Sequence, residues 1–298
     1  MSAETTSSTL SELYTEIVAE ALFVASERSI MRPLVRNYAV TGGGKSVEVP
    51  IYAAVSAAAV SEAADLSNTA INPSSVTITA SENGIMTTLT DLGRNAAPRN
   101  VAADIGKLFG EAIAKKIDTD LTALFGGFSN TVGGNTTVMS AALIFNAVAK
   151  LRATGVPSDN LACILHPNIA FDLKSGLSNT FANPNQGVGN EALRTGFAGQ
   201  IAGVSVYETS NMADASGNNP GTTGDYKGAV FHSDALGLAM MQDLKIETQR
   251  DASLRADEIV ATAVYGVGEL QDSYGCEVEA DSSIPVSYTH LRAHETES

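Results

Sequence analysis

The chain has 298 residues, of which 44% are hydrophobic and 17% charged, and its formal net charge is −15. This length and hydrophobic content are enough to bury a core in one large domain or two moderate ones. The acidic balance and the lack of any cluster of Lys and Arg argue against a protein that grips nucleic acid through its phosphates.

The cysteines and the apolar runs narrow the possible classes of protein further. Cys163 and Cys276 are far apart and form no C-x-x-C pair, so the sequence predicts neither a disulfide framework nor a zinc site. Cys163 lies in an apolar run and is predicted to be a small core residue. No apolar run approaches the roughly 18 residues that span a bilayer, and the polar residues 1–9 are unlike a secretory signal. These features predict no membrane partner and indicate a reducing cytoplasm.

The first predicted element is an amphipathic helix over residues 10–29. Thr9 and Glu12 form a capping-box pattern at its start, and apolar residues recur on one stripe behind it. Pro33 follows shortly after its end. We expect this segment to be an arm that docks on something else.

Residues 46–92 are predicted to form a long, thin β excursion. Alternating apolar residues with Pro50 among them predict an edge strand at its start. An Ala- and Ser-rich stretch follows, and then two more alternating runs flank Asn83 and Gly84, which is a strong signal for a tight hairpin turn. Because the excursion has few large apolar side chains, we expect it to lean on a neighbouring molecule.

The strongest periodic signal is a run of apolar residues that step by three and four, which predicts a long helix from about residue 99 to 125. Gly126 and Gly127 end it. The later predicted elements are a helix over 140–154, a buried strand over 161–165, a short helix from about Pro167, and strands at 201–207, 229–232, 244–250 and 258–270 around a polar loop at 212–228.

Two sets of residues resemble parts of functional sites, but neither meets the requirements of such a site. The run GGGKS at 42–46 resembles part of a phosphate-binding loop, but Ala39 stands where that loop needs its first glycine, and a strand follows in place of a helix. His166 lies at a strand-to-helix junction, and His232 stands beside Ser233 and Asp234. Neighbours along one strand point in alternating directions and cannot converge as a triad. A buried or capping role is predicted for both histidines.

The acidic pairs Asp118/Asp120 and Asp257/Glu258 are equally weak candidates, because such pairs are expected by chance in a chain with 33 acidic residues and neighbouring acids on a strand face opposite ways. Met240 and Met241 are predicted to pack in a core or an interface. The sequence therefore predicts no catalytic residue, no cofactor-binding residue, no metal ligand and no cofactor.

Residues 286–298 differ from the rest of the chain, since they carry two of the four histidines and have the period of neither helix nor strand. They resemble the in-frame translation of a sequencing adapter. We expect them to be a non-native tail, with the native C-terminus missing beyond about Pro285.

Four stretches carry a family resemblance over roughly residues 9–280: HPNIAFDL at 166–173, GVSVYETSN at 203–211, AVFHSDALGLA at 229–239 and ADEIVATAVYGV at 256–267. Together with the order of arm, extended hairpin, long helix, α/β region and returning strand, they resemble the major capsid proteins of tailed bacteriophages, the Hong Kong 97-like family.

The resemblance implies an α+β capsid fold with an N-arm, an E-loop hairpin, a P-domain with a long spine helix, and an A-domain. It assigns 1–45 to the N-terminal arm with its amphipathic helix, 46–95 to the E-loop β-hairpin, 96–135 to the P-domain spine helix, 136–255 to the A-domain and 256–285 to the return strand of the P-domain. Residues 286–298 stay outside as the adapter-like tail.

The implied function is structural and not enzymatic: self-assembly into hexamers and pentamers of the icosahedral head that encloses phage double-stranded DNA. The implied partners are copies of the chain, a separate scaffolding protein and a portal, with packaged DNA touched only non-specifically in the lumen and no membrane. The expected location is the virion, assembled in the host bacterial cytoplasm. An encapsulin-type nanocompartment shell is one alternative, and a soluble α/β hydrolase that uses His166 or His232 is a more remote one.

Overall fold

The structure is a computed structural model that describes residues 29–41, 44–52, 55–57, 59–61, 65, 68, 70–96, 101–181, 200–214, 216 and 224–284. Its helices are α1 (Asp91–Ala96), α2 (Val101–Thr122), α3 (Ala141–Ala153) and α4 (Pro167–Phe181), with 3-10 turns at Arg32–Leu34, Ala123–Gly127 and Asp272–Tyr274. Its strands are β1 (Arg36–Ala39), β2 (Ser46–Ile51), β3 (Ser74–Thr79), β4 (Ser81–Thr90), β5 (Thr131–Val138), β6 (Leu161–Leu165), β7 (Gln200–Ile201), β8 (Val204–Glu208), β9 (Asp225–His232), β10 (Leu236–Asp251), β11 (Ala256–Glu269) and β12 (Gly275–Asp281).

A four-stranded sheet has the order β1-β10-β11-β4. The long strands β10 and β11 pair antiparallel from Leu236 opposite Glu269 to Asp251 opposite Ala256. Helix α2 lies against one face of this sheet, because its apolar stripe and the alternate residues of β11 point at each other. The buried residues in this contact are Phe109, Ile113, Ile117 and Leu121 from α2 and Ile259, Ala261, Ala263 and Tyr265 from β11.

A six-stranded mixed sheet has the order β5-β12-β9-β6-β8-β7. Its central strand β6 is buried along its whole length, and its side chains alternate between two cores. Ala162 and Ile164 face the core that contains the end of α2, whereas Cys163 and Leu165 face the core built with α3 and α4. Each core is therefore closed by one face of the same strand.

The predicted long helix is confirmed as α2 with its 3-10 extension, and the helix over 140–154, the strand over 161–165 and the helix from Pro167 are confirmed as α3, β6 and α4. The strand predicted at 201–207 is divided by a two-residue turn, because Ala202 and Gly203 both have positive φ angles, of 56° and 82°, as a tight hairpin turn requires. The predicted arm helix over 10–29 lies outside the described residues except for its last residue, and the tail 286–298 lies outside them entirely.

The predicted hairpin turn at Asn83 and Gly84 is wrong. Both residues lie inside β4, which pairs with β11 over ten positions, with Asn83 opposite Ala263 and Gly84 opposite Thr262. The antiparallel partner of β3 is β2. Gly84 serves a close approach and not a turn, since a Cβ there would lie 3.1 Å from the carbonyl oxygen of Ala261.

Three strands escaped the sequence prediction: β1, β5 and β12. β5 contains Gly133 and Gly134, which have positive φ angles and resemble a loop in sequence. The chain turns between β10 and β11 at residues 252–255, and β12 belongs to the other sheet. None of the helices in the described part of the chain combines the length and hydropathy needed to cross a membrane.

Candidate assembly surface

β2 and β3 form a hairpin in which only Val49 and Ile78 are buried. The two strands pair antiparallel from Ser46 opposite Thr79 to Ile51 opposite Ser74. Their side chains alternate, so the apolar residues share one face and the polar residues the other. The apolar face consists of Val47, Val49, Val76 and Ile78.

The apolar face of this hairpin packs on the chain's own four-stranded sheet. Ile78 is only 1% exposed and shares a small core with Ala239 and Leu270. The N–H of Ala80 donates to the carbonyl oxygen of Lys45 over 2.7 Å and closes the base of the hairpin. Within the subunit, β2 and β3 thus lean on their own sheet, and the contact of the excursion with a neighbouring molecule stays a prediction.

Three glycines lie where β3 crosses the sheet, and we call Gly237, Gly266 and Gly268 the glycine seat. Gly237 and Gly268 are directly opposite each other on β10 and β11. A Cβ at Gly266 would lie 2.3 Å from the carbonyl oxygen of Thr79, and a Cβ at Gly237 would lie 2.8 Å from Cδ1 of Ile78. No prediction from the sequence named this seat, although glycines two apart in a predicted strand are a signal for close backbone approach.

The segment that joins β2 to β3 is exposed throughout its described part, residues 52, 55–57, 59–61, 65, 68 and 70–73. Its large apolar side chains are far more exposed than a folded core would leave them: Tyr52 64%, Val55 59%, Val60 47% and Ile71 58%. The segment from 52 to 73 contains only two charged residues, Glu62 and Asp65. Exposed apolar residues grouped on one projecting segment mark a contact surface. We call the described residues of this stretch (52, 55–57, 59–61, 65, 68 and 70–73) the distal segment.

Large apolar side chains are also exposed elsewhere, on both sheets and on several helices. Those on the helices, the sheets and their connecting turns are Ile85, Met86, Leu92, Leu108, Val138, Phe145, Phe171, Tyr207, Met241 and Leu254. Because they are spread over several elements, they offer contacts in more than one direction. This distribution suits a subunit that has several neighbours.

The two members of the acidic pair on α2 serve different contacts. Asp118 is fully buried and accepts hydrogen bonds from Ser29 Oγ, from the backbone N–H groups of Ile30 and Met31, and from Asn211 Nδ2, at 2.7 to 3.4 Å. Asp120 instead accepts a hydrogen bond from Tyr265 over 2.8 Å and pairs with Lys116. The two carboxylates share no ligand position. Asp118 is a junction between the N-terminal segment, α2 and the segment after β8.

The second acidic pair is divided between the two faces of β11. Asp257 is buried and forms an ion pair with Arg250 over 3.2 Å, whereas Glu258 lies on the other face, half-buried. Within the described residues, no group of three or more His, Cys, Asp or Glu side chains is arranged to hold a metal ion.

Both histidines serve the local structure. His166 stacks on Tyr226 with ring centroids 3.7 Å apart, and its Nδ1 accepts the backbone N–H of Asn168. Burial disfavours the charged ring and lowers the pKa of His166 to about 4. His232 is buried, and its Nδ1 accepts the backbone N–H of Asp234 over 3.2 Å. The predicted buried or capping role is confirmed for both residues.

The remaining candidates are equally structural. Cys163 and Cys276 are free and buried, and burial raises the pKa of the Cys163 thiol to about 12, so the predicted core role of Cys163 is confirmed. Lys45 is followed directly by the strand β2, whereas a phosphate-binding loop would be followed by a helix. Gly42 and Gly43 lie outside the described residues. Met240 packs against the core under α2, and Met241 is exposed.

One open polar cleft of about 610 Å³ lies between the N-terminal segment and the edge of the six-stranded sheet. It is lined by residues that include Arg36, Asn160 and Tyr207, and neither histidine contributes to its lining. Arg36 pairs there with Asp234. Neither histidine therefore lines this cleft. A hydrolase that uses His166 or His232 would need its catalytic histidine to line a substrate-sized cavity.

Comparison with known proteins gives a family and a fold. A family model described as "Phage capsid protein" matches residues 74–276. None of the curated protein sequences matches the chain. The capsid of the cyanophage P-SCSP1u is similar with a TM-score of 0.66 and 20% identity, over 86% of this chain and 89% of that chain.

Two further solved structures are similar over most of their length. That of Mycobacterium phage Che8 has a TM-score of 0.65 and 22% identity, over 79% of this chain and 84% of that chain. The mature capsid of bacteriophage PhiM1 has a TM-score of 0.62 and 16% identity, over 86% of this chain and 88% of that chain. These likenesses confirm the predicted fold class, the α+β Hong Kong 97-like capsid fold.

Proposed function

Because this chain belongs to the phage capsid protein family, we propose that it is the repeating tile of an icosahedral head, in which its copies form hexamers and pentamers around packaged double-stranded DNA. The family role is structural and not enzymatic. The observation that carries the proposal is the distal segment, which projects from a firmly packed hairpin and leaves four large apolar side chains exposed. Such a segment is stabilised when a second copy covers it.

The contact of the distal segment with a neighbour is weak by itself and strong in repetition. Val55, Val60 and Ile71 are each about half exposed, so covering each of them contributes on the order of 1 kcal/mol. Together they contribute roughly 3 kcal/mol, which corresponds to about a hundredfold in an association constant. Contacts of this strength are reversible one by one, so misplaced subunits can leave, and they become stable when a ring closes.

The division into domains follows the two sheets. We assign β2, β3 and the distal segment to the E-loop, the four-stranded sheet with α2 to the P-domain, and the six-stranded sheet with α3 and α4 to the A-domain. Under this assignment the chain enters the A-domain at β5, leaves it after β9 and returns to it with β12. The pairing of β12 between β5 and β9 supports this return.

The remaining partners follow from the charge and the assembly. With a formal net charge of −15, the shell repels DNA phosphates and holds its DNA by enclosure, without specific contacts. A separate scaffolding protein and a portal complete the assembly, which takes place in the host bacterial cytoplasm. The match to phage capsid proteins favours this function over an encapsulin-type nanocompartment shell.

Electron microscopy of the expressed protein tests the proposal. The wild-type chain should form hollow particles or ring-shaped capsomers. The triple variant V55S/V60S/I71S should keep its folded subunit and lose the particles, because it removes apolar surface from the distal segment only. The matched control S56A/S61A changes two exposed residues of the same segment and should assemble normally. A wild-type protein that stays monomeric at high concentration would refute the proposal.

A further inference from the structure

The glycine seat brings the hairpin closer to the sheet than any other residue would allow. Gly266 and Gly268 point to the same face of β11, and Gly237 lies opposite Gly268 on β10. A Cβ at Gly266 would lie 2.3 Å from Thr79 O, one at Gly268 2.9 Å from Ile78 Cγ1, and one at Gly237 2.8 Å from Ile78 Cδ1. Ordinary van der Waals contact of a Cβ begins near 3.4 Å. The side chain of Ile78 thus fills space that exists only because Gly237 and Gly268 lack a Cβ, and the backbone at Thr79 fills the space beside Gly266.

The glycine seat lies near the base of the hairpin formed by β2 and β3, so a small displacement there becomes a larger one at the tip. The base of the hairpin is held by the hydrogen bond from Ala80 to Lys45. Ile78 is two residues from Ala80 and Ser74 is six, or about 7 Å and 20 Å along a strand at roughly 3.3 Å per residue. If β3 tilts about its base, a displacement of about 1 Å at Ile78 therefore becomes about 3 Å at Ser74. The distal segment beyond Ser74 moves further still.

We infer that Gly237, Gly266 and Gly268 are positioning residues for assembly, because they fix the angle at which the hairpin leaves its own subunit. The inference rests on the proposed function and adds which residues aim the distal segment at a second copy. A gap of 0.5–1 Å already loses about a quarter to a half of a dispersion contact. A hairpin misdirected by several ångströms therefore loses its contact with the neighbour, although the subunit itself stays folded.

The three glycines predict different results because they meet different atoms. Gly266→Ala meets backbone at Thr79 O, which can give way only if β3 moves by about 1 Å to restore van der Waals contact. Gly237→Ala meets Cδ1 of Ile78 and the flexible end of Leu270. Because Ile78→Val removes Cδ1, the double variant G237A/I78V should restore closed particles. The double variant G266A/I78V should not, because the valine leaves Thr79 O where it was.

Two measurements on each variant test the inference. The first is electron microscopy, in which G237A and G266A should give free subunits or open, irregular assemblies, while G44A, at the entry to the same hairpin with no atom nearer than 3.9 Å, should give wild-type particles. The second is the distance between spin labels at S75C and Q249C in dissociated subunits. It should shift in G266A and stay unchanged in G44A, and the two native cysteines are buried and stay unlabelled.

The outcomes separate the inference from the proposed function. If the wild-type chain forms no particles, the proposed function fails. If the wild type forms particles and G266A forms closed particles of the same diameter, the inference is overturned. Should G266A fail to fold, the pair G237A and G237A/I78V decides: closed particles from G237A alone, or none from the double variant, overturn the inference.

Discussion

Asp118→Asn tests the junction that ties the N-terminal segment to α2. In the wild-type chain, Oδ1 of Asp118 accepts Ser29 Oγ at 2.7 Å and the N–H of Met31 at 3.1 Å, and Oδ2 accepts the N–H of Ile30 at 3.1 Å and Asn211 Nδ2 at 3.4 Å. An asparagine has one carbonyl oxygen and can serve one of these two pairs. Its amide nitrogen faces the other pair, here the half-buried N–H of Ile30 and side-chain amide of Asn211, so two donors lose their acceptor.

A donor left without an acceptor in the protein interior costs about 1–3 kcal/mol. Two such donors, one of them in the longer and weaker contact from Asn211, give an expected loss of about 2–4 kcal/mol in the free energy of unfolding. Urea unfolding of dissociated subunits measures this loss as a lower midpoint with an unchanged slope. The control Asp65→Asn changes an exposed carboxylate of the distal segment and should stay within about 0.5 kcal/mol of the wild type.

A loss below about 1 kcal/mol for Asp118→Asn would refute this reasoning. It would mean that the two donors without an acceptor find other acceptors when the carboxylate is gone. A lower slope in urea would point elsewhere, since it indicates a change in the surface exposed on unfolding and not the loss of single hydrogen bonds.

Two other predictions concern pH and the tail. The pKa of His166 is lowered from 6.5 to about 4 by burial, so the unfolded chain binds this proton more readily, and subunit stability should be full above about pH 6.5 and fall as the pH is lowered towards 4. Across this pH range, melting temperatures should fall less steeply for His166→Phe than for the wild type. Equal profiles would show that protonation of His166 does not cause the loss of stability. Deleting residues 286–298 should leave the yield and diameter of particles unchanged in electron microscopy, whereas loss of particles would show that the tail belongs to the protein.

The elements that the sequence determined are those whose pattern is complete within one segment. Helix α2 can be recognised because its apolar residues recur every three or four positions, and β6 because all five of its residues are apolar. The buried or capping roles of His166 and His232 also needed only local information, since Nδ1 of each ring accepts the backbone N–H two residues further on. The exposed apolar residues of the distal segment are visible in sequence as a run with few charges.

The tertiary structure decided which strands pair and what the glycines are for. Asn83 and Gly84 have the sequence of a turn, yet the long strand β11 offers β4 a ladder of ten residues, and a ladder between distant segments leaves no mark on either one alone. β12 likewise joins β5, about 145 residues earlier in the chain. Gly237, Gly266 and Gly268 look like weak points of two strands until β3 is laid across them. The role of a glycine depends on which atoms occupy the space that a Cβ would fill, and only the tertiary structure places Ile78 in that space.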